Sequence, residues 1–281
     1  MLSVIIPTHK RAAILRKCLE QLEGQTVARD LEVIVVSDGH DAETVKQMAD
    51  DRWQVAVRFL EIPKSQQGAA RNQGIRAARG EYCLFIGDDI FLAPNACEVH
   101  LKTHDQSPIA VLGFTTWDPS VGITPVMRWL ERTGWQFGYG KIARYAHAFI
   151  PRELQHRFTY TSHLSLPTTI ALEIPFRDDI TSYGWEDIEW GLRLRDAGVR
   201  LFYDPSARAL HHHHVTLEES LARMETLGRS VVSLSRLNPH LDRMPRGWKL
   251  RAYQLLSLLP TLRGLHARAF LHGIERGKKA S

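Results

Sequence analysis

The chain has 281 residues of ordinary globular composition, enough for one large domain with an extension. Its apolar runs are too short to span a membrane, its cysteines lack metal-ligand spacing, and Met1 leads almost directly into a strand-like segment. We therefore expect no signal peptide, reduced thiols and a cytoplasmic location.

The formal net charge of +5 is unevenly distributed. Residues 243–281 hold nine Lys or Arg against one acidic residue, a charge of +8 that leaves −3 for the rest of the chain. A basic tail is typical of a segment that meets an anionic surface, either lipid headgroups or nucleic acid. The alternative is a basic helix face that is simply solvated.

The first ninety residues alternate between strand-like and helix-like segments. This alternation predicts right-handed βαβ units and a parallel sheet with helices on both faces. The apolar runs that read as strands cover residues 3–8, 31–36, 55–62 and 82–86, and the segments with helical spacing cover 10–24, 42–50 and 68–79.

The apolar run Tyr82–Ile86 ends at Gly87 and is followed by Asp88 and Asp89. Open α/β sheets bind ligands at the carboxyl ends of their strands. Two adjacent carboxylates repel each other unless a cation or strong hydrogen-bond donors lie between them, and Mg²⁺ or Mn²⁺ bridging to phosphate oxygens would serve. The alternative is a turn in which an aspartate caps the next element.

A helix is expected from about residue 95 to 104 and a strand over 109–115, after which the pattern loosens. Residues 117–149 hold clustered aromatic side chains among glycines, which is often the composition of a binding loop, although several rings could be core. The aromatic residues are Trp117, Trp129, Trp135, Phe137, Tyr139 and Tyr145.

A second acidic cluster, Glu186, Asp187 and Glu189, opens a predicted helix. Acids in a first helical turn are favoured by the macrodipole, which would be a purely structural role. The functional interpretation is a general base that takes the proton of an incoming hydroxyl. Trp185, just before the cluster, suits a tight and partly dry pocket.

A short strand is predicted over 199–203, with a turn at Asp204-Pro205 and then four consecutive histidines, His211–His214. Alternate side chains of a strand face the same way, so His211 and His213 would point together. Neutral imidazole is a good ligand for Mn²⁺. The run could instead be an exposed polar loop.

The last part of the chain reads as a helix over 216–227 with a Thr216 cap, followed by a leucine stripe that Pro260 would kink. Such a basic, apolar segment predicts contact with an anionic membrane surface, which would suit a lipid-linked acceptor. The alternative is a helix packed on its own domain or on a second subunit of a homodimer. The stripe is Leu255, Leu258, Leu259, Leu262 and Leu265, flanked by Lys249, Arg251, Arg263 and Arg268.

In this order and spacing, several motifs between residues 3 and 228 resemble those of the inverting family-2 glycosyltransferases, whose fold is called GT-A. The motifs are Ser3–Thr8 (opening strand), Val35–Gly39 (second strand), Ala70–Gly74 (Ala-Arg-Asn-x-Gly), Phe85–Asp89 (Asp-x-Asp), Gly184–Asp187 (acceptor-side Glu-Asp) and Ala207–His213 (distal histidine).

The resemblance implies an α/β fold with a mixed, mainly parallel sheet, helices on both faces and a helical C-terminal extension. The domain would cover 1–228, with a nucleotide-binding half at about 1–115 and an acceptor half at about 116–228. Residues 229–281 would form the basic amphipathic extension.

The implied activity is metal-dependent, inverting transfer of a sugar from a nucleotide-diphosphate sugar, a UDP-sugar being favoured, to a hydroxyl of a glycan, lipid-linked or other acceptor. Mn²⁺ or Mg²⁺ is the implied cofactor. The resemblance implies that Asp187 is the base, with Glu186 beside it, and that Asp89, His211 and His213 bind the metal. It implies that the nucleotide is bound by Pro7, Thr8, Asp38, Arg71 and Asp88. The implied acceptor residues are Trp135 and Trp185.

Two positions depart from the family pattern. Gly87 stands where the first Asp of Asp-x-Asp is usual, and Ser37 precedes Asp38 where a second Asp is commoner. A weak-metal or non-catalytic nucleotide-sugar-binding protein is therefore an alternative. A sugar nucleotidyltransferase is disfavoured because residues 7–11 lack glycine, and no nucleic-acid partner is expected because the acidic main domain would repel phosphate backbones.

Overall fold

The structure, a computed structural model, describes residues 1–50, 53–105, 110–180 and 183–280. Within these residues a nine-stranded sheet has the order β3-β2-β1-β4-β8-β6-β9-β5, with β7 paired to β9. The strands are β1 Leu2–Thr8, β2 Leu31–Asp38, β3 Ala56–Ile62, β4 Tyr82–Ile86, β5 Ile90–Leu92, β6 Ala110–Trp117, β7 Ala148–Phe149, β8 His163–Pro167 and β9 Leu201–His211.

Helices cover both faces of the sheet, as the sequence predicts. They are α1 Ala12–Glu23, α2 Ala42–Asp50, α3 Gln67–Ala77, α4 Ala96–His104, α5 Pro125–Thr133, α6 Arg152–Gln155, α7 Thr168–Glu173, α8 Glu186–Asp196, α9 Leu217–Leu237, α10 Gly247–Ser257 and α11 Leu262–Lys279.

The first half of the sheet is parallel and the second half is mixed. Strand β1 pairs in parallel with β2 and β4, and β2 pairs in parallel with β3. Strand β8 then joins β4 antiparallel, and β9 returns parallel to β6. This is the predicted mixed, mainly parallel sheet, and it sets the carboxyl ends of β1 and β4 side by side.

Two apolar cores sandwich the first strands. Helix α1 packs its buried face against one side of β1 and β4. On the other side the Phe85 ring meets Phe176 and Trp190 edge-on, with centroids 5.8 and 5.6 Å away. Because Trp190 lies on α8, this packing fixes the start of α8 beside the end of β4.

The predicted turn at Asp204-Pro205 is wrong, because β9 continues through it. The turn chemistry is present: Asp204 Oδ1 accepts from the Ser206 backbone N–H at 2.9 Å. It produces a bulge rather than a reversal, since the pairing with β6 slips between Leu112 and Phe114. The first residue of the strand predicted over 109–115, Ile109, lies outside the described residues.

The aromatic segment 117–149 is more ordered than expected. It contains α5, three short 3₁₀ helices and β7. Trp117, Trp129, Phe137 and Tyr139 are buried in the main core, so most of these rings are core side chains rather than the wall of a binding loop.

The C-terminal segment also differs from the prediction. Helix α9 runs to Leu237 rather than 227, so the domain boundary expected at 228 falls inside a helix. Around Pro260 the chain forms two separate helices instead of one kinked helix. Helix α11 packs on α9 with close backbone contacts at Gly228, Gly273 and Gly277. None of the helices in the described ranges combines the length and hydropathy that crossing a bilayer requires.

Candidate active site

A cavity of about 1040 Å³ lies at the carboxyl ends of β1 and β4. Both predicted acidic clusters line it: Asp88 and Asp89 from the β4 end, and Glu186 and Asp187 from the start of α8. The two groups of carboxylates, widely separated in sequence, therefore share one opening.

The aspartate pair is held by residues at the end of β1 and just after it. The Thr8 hydroxyl donates to Asp88 Oδ2 at 2.7 Å. Arg11 spans the pair, with Nη1 2.8 Å from Asp88 Oδ1 and Nη2 2.9 Å from Asp89 Oδ2. Burial and the adjacent Asp89 charge raise the pKa of Asp88 to about 6. The sequence does not single out Arg11, although a basic residue soon after the first strand is a weak signal for an anion or carboxylate contact.

Two histidines of the His211–His214 run converge on Asp89. His211 Nε2 lies 3.2 Å and His213 Nδ1 3.5 Å from Asp89 Oδ2. The three ligand atoms lie within 4.8 Å of one another. Burial acts to raise the pKa of Asp89, but hydrogen bonds with both histidines and the Arg11 charge outweigh it and hold that pKa well below its usual value. One carboxylate and two imidazoles form a donor set that suits Mn²⁺.

The intervening histidine faces elsewhere. His212 Nδ1 lies 2.6 Å from Asp118 Oδ2. The expected alternation of side chains therefore holds through the end of β9. His211 is further fixed by stacking on the Trp117 ring, with centroids 5.3 Å apart.

Gly87 has a local steric explanation. A Cβ at this position would lie 2.9 Å from Asp89 Oδ1. That distance is shorter than ordinary van der Waals contact, so a side chain here would displace the Asp89 carboxylate from its present position. Glycine at this position thus leaves the Asp89 carboxylate free to contact the two histidines.

The start of α8 is directed into the cavity by an unusual turn. Gly184 and Trp185 both have left-handed backbone conformations, with φ of 90° and 71°. The Trp185 indole N–H donates to the Leu227 carbonyl at 2.9 Å, which ties the turn to α9. A left-handed conformation is strained for a non-glycine residue and is a feature of functional sites.

Asp187 is the carboxylate with the clearest acid–base signature. Burial and the neighbouring Glu186 charge raise its pKa to about 7, although a hydrogen bond from the Ile188 N–H at 2.8 Å and the charges of Arg71 and Arg243 act in the opposite direction. A carboxylate with a pKa near neutrality can exchange a proton at physiological pH.

The predicted nucleotide residues fall into two groups. Pro7, Arg71 and Asp88 line the cavity. Thr8 is buried and donates its hydroxyl hydrogen bond to Asp88, as described above. Asp38 is buried outside the lining, where its carboxylate accepts from Lys64 Nζ at 2.6 Å and from the backbone N–H groups of residues 65 and 66. Asp38 therefore shapes the loop that precedes α3.

The predicted acceptor residues Trp135 and Trp185 both line the cavity. Sequence reasoning missed the basic side chains of the same wall, which come from two 3₁₀ helices and from the C-terminal segment. They are Lys141, Arg157, Arg243 and Lys249. A local basic composition near residue 243 is visible in the sequence, but nothing in it places that segment over the cavity.

Comparison with known proteins shows the family to which the chain belongs. The family model for glycosyl transferase family 2 matches residues 3–160. The putative glycosyltransferase EpsH of Bacillus subtilis is 33% identical over 125 residues, 43% of this chain and 36% of that protein. Validoxylamine A glucosyltransferase of Streptomyces hygroscopicus subsp. jinggangensis is 27% identical over 242 residues, 78% of this chain and 57% of that protein. The chain thus spans between about a third and just over half of these relatives.

Solved structures show the same fold. The mannosyltransferase PcManGT from Pyrobaculum calidifontis, in complex with GDP-Man and Mn²⁺, aligns with a TM-score of 0.66 at 14% identity, covering all of this chain and 87% of that one. S. aureus TarS residues 1–349, in complex with UDP-GlcNAc, aligns with a TM-score of 0.52 at 13% identity, covering all of this chain and 92% of that one. Because the family model matches more than half of the chain, the protein belongs to glycosyl transferase family 2, and its architecture is the GT-A fold.

Proposed function

We propose that this protein transfers a sugar from a nucleotide-diphosphate sugar to an acceptor hydroxyl, with inversion at the anomeric carbon. One observation carries the proposal: a single cavity holds a carboxylate–histidine cluster and, separately, a carboxylate with a pKa of about 7. Inverting transfer needs both functions, namely stabilisation of a departing diphosphate and removal of the acceptor proton.

Asp89, His211 and His213 are the residues that would hold a divalent cation, Mn²⁺ or Mg²⁺. When bound, the ion supplies positive charge for the diphosphate leaving group. Arg11 adds charge of the same sign and orders Asp88 and Asp89 through its two contacts. The Mn²⁺ of the aligned mannosyltransferase complex supports this proposal.

Asp187 is the proposed general base. At neutral pH a group with a pKa of about 7 is ionised about half of the time, and in its ionised form it accepts the acceptor proton as the new bond forms. Glu186, paired with Arg71, lies beside Asp187 and orients it or the acceptor. Such proton transfer typically contributes about 10²- to 10⁴-fold to the rate.

The donor nucleotide is proposed to lie across the carboxyl ends of β1 and β2. Pro7 and Arg71 line that side of the cavity. The Thr8 hydroxyl holds the Asp88 carboxylate, and Asp38 holds the loop that precedes α3. A UDP-sugar is the favoured donor, and the aligned complexes with UDP-GlcNAc and GDP-Man name the first two compounds to try. Trp135 and Trp185 are proposed to contact the acceptor.

Contact with an anionic membrane is proposed for α10 and the residues that flank it. Trp248 and Leu258 are 75% and 74% exposed, and Leu255 and Leu259 are exposed on the same segment. Exposed basic side chains, Arg246 and Arg251, accompany them. Apolar side chains flanked by positive charge are typical of helices that lie in a membrane interface. We expect the double variant Trp248→Ser, Leu258→Ser to sediment less with phosphatidylglycerol vesicles than the unchanged protein.

The central test is a two-stage assay. Thermal shift with UDP and GDP, each with Mn²⁺, identifies the nucleotide, and the matching nucleotide sugars are then incubated with glycan and lipid-linked acceptors while nucleoside diphosphate release is measured. The proposal expects release to depend on the acceptor, with an inverted anomeric configuration in the product. Binding without release across the panel would instead identify a non-catalytic nucleotide-sugar-binding protein, and a retained configuration would exclude single inversion.

A further inference from the structure

Four positively charged side chains meet on the wall of the cavity that carries Trp185. They come from three separate segments: Lys141 from the 3₁₀ helix Gly138–Lys141, Arg157 from the 3₁₀ helix His156–Phe158, and Arg243 and Lys249 from the C-terminal segment. We call these four residues the cationic wall. Convergence from separate segments shows that the tertiary fold, and not a local charge run, assembles the cluster.

The cationic wall has more positive charge than its own partners neutralise. Asp242 accepts ion pairs from Arg157, with Nη2 2.5 Å from Oδ2, and from Lys249, with Nζ 3.4 Å from Oδ1. Within the part of the chain that the structure describes, Arg243 and Lys141 have no carboxylate in ion-pair contact. The Arg243 guanidinium instead lies 5.7 Å from the Trp185 ring centroid, and Lys141 Nζ donates to the Gly134 carbonyl.

These charges act on one another at close range. Burial and the Arg157 charge lower the pKa of Arg243, and burial together with Arg243 and Arg157 lowers the pKa of Lys141. Like charges held together in a cleft lower stability, and they concentrate anions from solution. An arrangement of this kind is the expected form of an anion subsite in the free protein.

The cationic wall is close to the proposed base and distinct from the proposed diphosphate site. The charge of Arg243 is among those that lower the pKa of Asp187. The charges that act on Asp88 and Asp89 come from other residues, namely Arg11 and the histidines. An anion on the cationic wall would therefore be held near Asp187, where the acceptor hydroxyl has to lie.

We propose that the cationic wall binds a phosphate group of the acceptor and thereby places the acceptor hydroxyl at Asp187. The inference rests on the proposed transferase function and narrows its acceptor to a phosphorylated class. Arginine suits this role because its planar guanidinium matches phosphate oxygens in a bidentate fashion. The phosphate could belong to a soluble sugar or polyol phosphate, or to a lipid.

The test measures binding of glycerol 3-phosphate and of inorganic phosphate by calorimetry, in the absence of donor. We expect the unchanged protein to bind glycerol 3-phosphate, and Arg243→Gln and Arg157→Gln each to weaken that binding by about tenfold or more, because each removes a charge-assisted hydrogen bond. Arg243→Lys should retain part of the affinity. The matched control is Arg236→Gln, which removes the same charge from an exposed position at the end of α9, outside the cavity.

Phosphatidylcholine vesicles with and without phosphatidic acid form the second arm. Binding of the protein to vesicles that requires both phosphatidic acid and Arg243, at phosphate concentrations where glycerol 3-phosphate binds weakly, would support a lipid-borne phosphate. Tighter binding of glycerol 3-phosphate than of the phosphatidic acid vesicles would support a soluble phosphate. The proposal would be overturned if Arg243→Gln kept its full affinity for glycerol 3-phosphate and for phosphatidic acid vesicles, or if the unchanged protein bound neither. An equal loss of UDP or GDP affinity in Arg243→Gln would also overturn it, because the cationic wall would then serve the donor.

The two proposals fail in different ways. Failure of the transferase function would appear in the unchanged protein, as no binding of UDP or GDP with Mn²⁺ and no turnover of nucleotide sugars. Failure of the acceptor inference would appear in the Arg243→Gln and Arg157→Gln variants, as retained phosphate affinity with nucleotide binding intact.

Discussion

Nη1 of Arg71 lies 3.6 Å from Oε1 of Glu186, and this ion pair joins α3 to α8, which begins at the second acidic cluster. The next residue strengthens the junction, because Asn72 donates to the Phe176 carbonyl at 2.8 Å and accepts from the Phe176 N–H at 2.8 Å. One turn of α3 therefore sets both the charge and the position of the segment that leads to Asp187.

Removing either member of the Arg71–Glu186 pair should shift the pKa of Asp187, in opposite directions. Glu186 raises and Arg71 lowers the pKa of Asp187. Glu186→Gln should therefore move the acidic limb of the kcat/KM profile to lower pH, and Arg71→Gln should move it to higher pH, each by about one unit. The profiles are measured between pH 5 and 9 with one donor and one acceptor. Shifts in the same direction would mean that the limb does not report Asp187.

Asp187→Asn should separate binding from chemistry. We expect transfer to fall by about 10²- to 10⁴-fold while the thermal shift with nucleotide and Mn²⁺ stays close to that of the unchanged protein. Glu189→Gln, two residues along α8, controls for loss of a carboxylate from the same helix. Transfer at an unchanged rate in Asp187→Asn would remove the base from the mechanism.

The same substitution should stabilise the fold at alkaline pH. The folded protein binds the Asp187 proton more tightly than the unfolded chain does, since the pKa rises from 3.8 to about 7. Ionised Asp187 therefore lowers the free energy of unfolding as pH rises through this window. Asp187→Asn should be more stable than the unchanged protein at pH 8, with the difference vanishing near pH 4 in urea titrations. Equal stability at pH 8 would contradict the raised pKa.

The metal proposal predicts a pattern among adjacent histidines. His211→Ala and His213→Ala should each reduce the Mn²⁺-dependent part of nucleotide binding by about tenfold or more, as should Asp89→Ala, because each removes a ligand. His214→Ala is the matched control, since His214 is exposed and outside the Asp89 cluster. The readout is the thermal shift with nucleotide and Mn²⁺, with and without EDTA. Nucleotide binding that ignores both EDTA and the His211→Ala change would exclude a metal at this cluster.

Much of the fold is predictable because buried parallel strands are continuous apolar runs, as in Tyr82–Ile86, and their order alternates with helices. Placement of Asp89 and Asp187 in one cavity follows from similar logic, since a strand end and a helix start can meet at the carboxyl edge of the sheet. These features depend on local pattern and on general topology.

Other features depend on tertiary contacts that no local pattern encodes. Trp117 and Trp135 look alike in sequence, yet Trp117 packs in the core and Trp135 lines the cavity. Asp204 has the composition of a turn but lies in a strand with a bulge, because pairing with β6 continues on both sides. Arg243 reaches the cavity from the loop between α9 and α10, where its guanidinium lies 5.7 Å from the Trp185 ring centroid.

The docking of α11 predicts a steric effect at its glycines. A Cβ at Gly273 would overlap the Glu225 carbonyl oxygen, and a Cβ at Gly228 would overlap that of Phe270. Gly273→Ala should therefore separate α11 from α9 and destabilise the protein by about 1–3 kcal/mol, even though alanine favours helices. Gly140→Ala is the control because a Cβ there meets open space. A neutral or stabilising result for Gly273→Ala in denaturant titrations would mean that the helices do not cross this closely.

A buried histidine cluster between α4 and β8 predicts that the free energy of unfolding depends on pH in the acid range. His100 Nδ1 and His104 Nε2 each lie 2.7 Å from the Ser165 hydroxyl, and the His163 ring centroid is 5.1 Å from that of His100. Burial lowers the pKa of His104 and of His163 to about 4, and it lowers that of His100 well below 6.5.

Because the unfolded chain takes up these protons near pH 6.5 and the folded protein does not, the three histidines should lower stability as pH drops from about 6.5 toward 4, against the opposite contribution of Asp187. His104→Gln should reduce that slope by about 1.4 kcal/mol per pH unit, the contribution of one proton, whereas replacing the exposed His240 with Gln should leave it unchanged. Urea unfolding at pH 7, 5.5 and 4.5 gives the slopes. Equal slopes for His104→Gln and for the unchanged protein would show that His104 accepts a proton in the folded state.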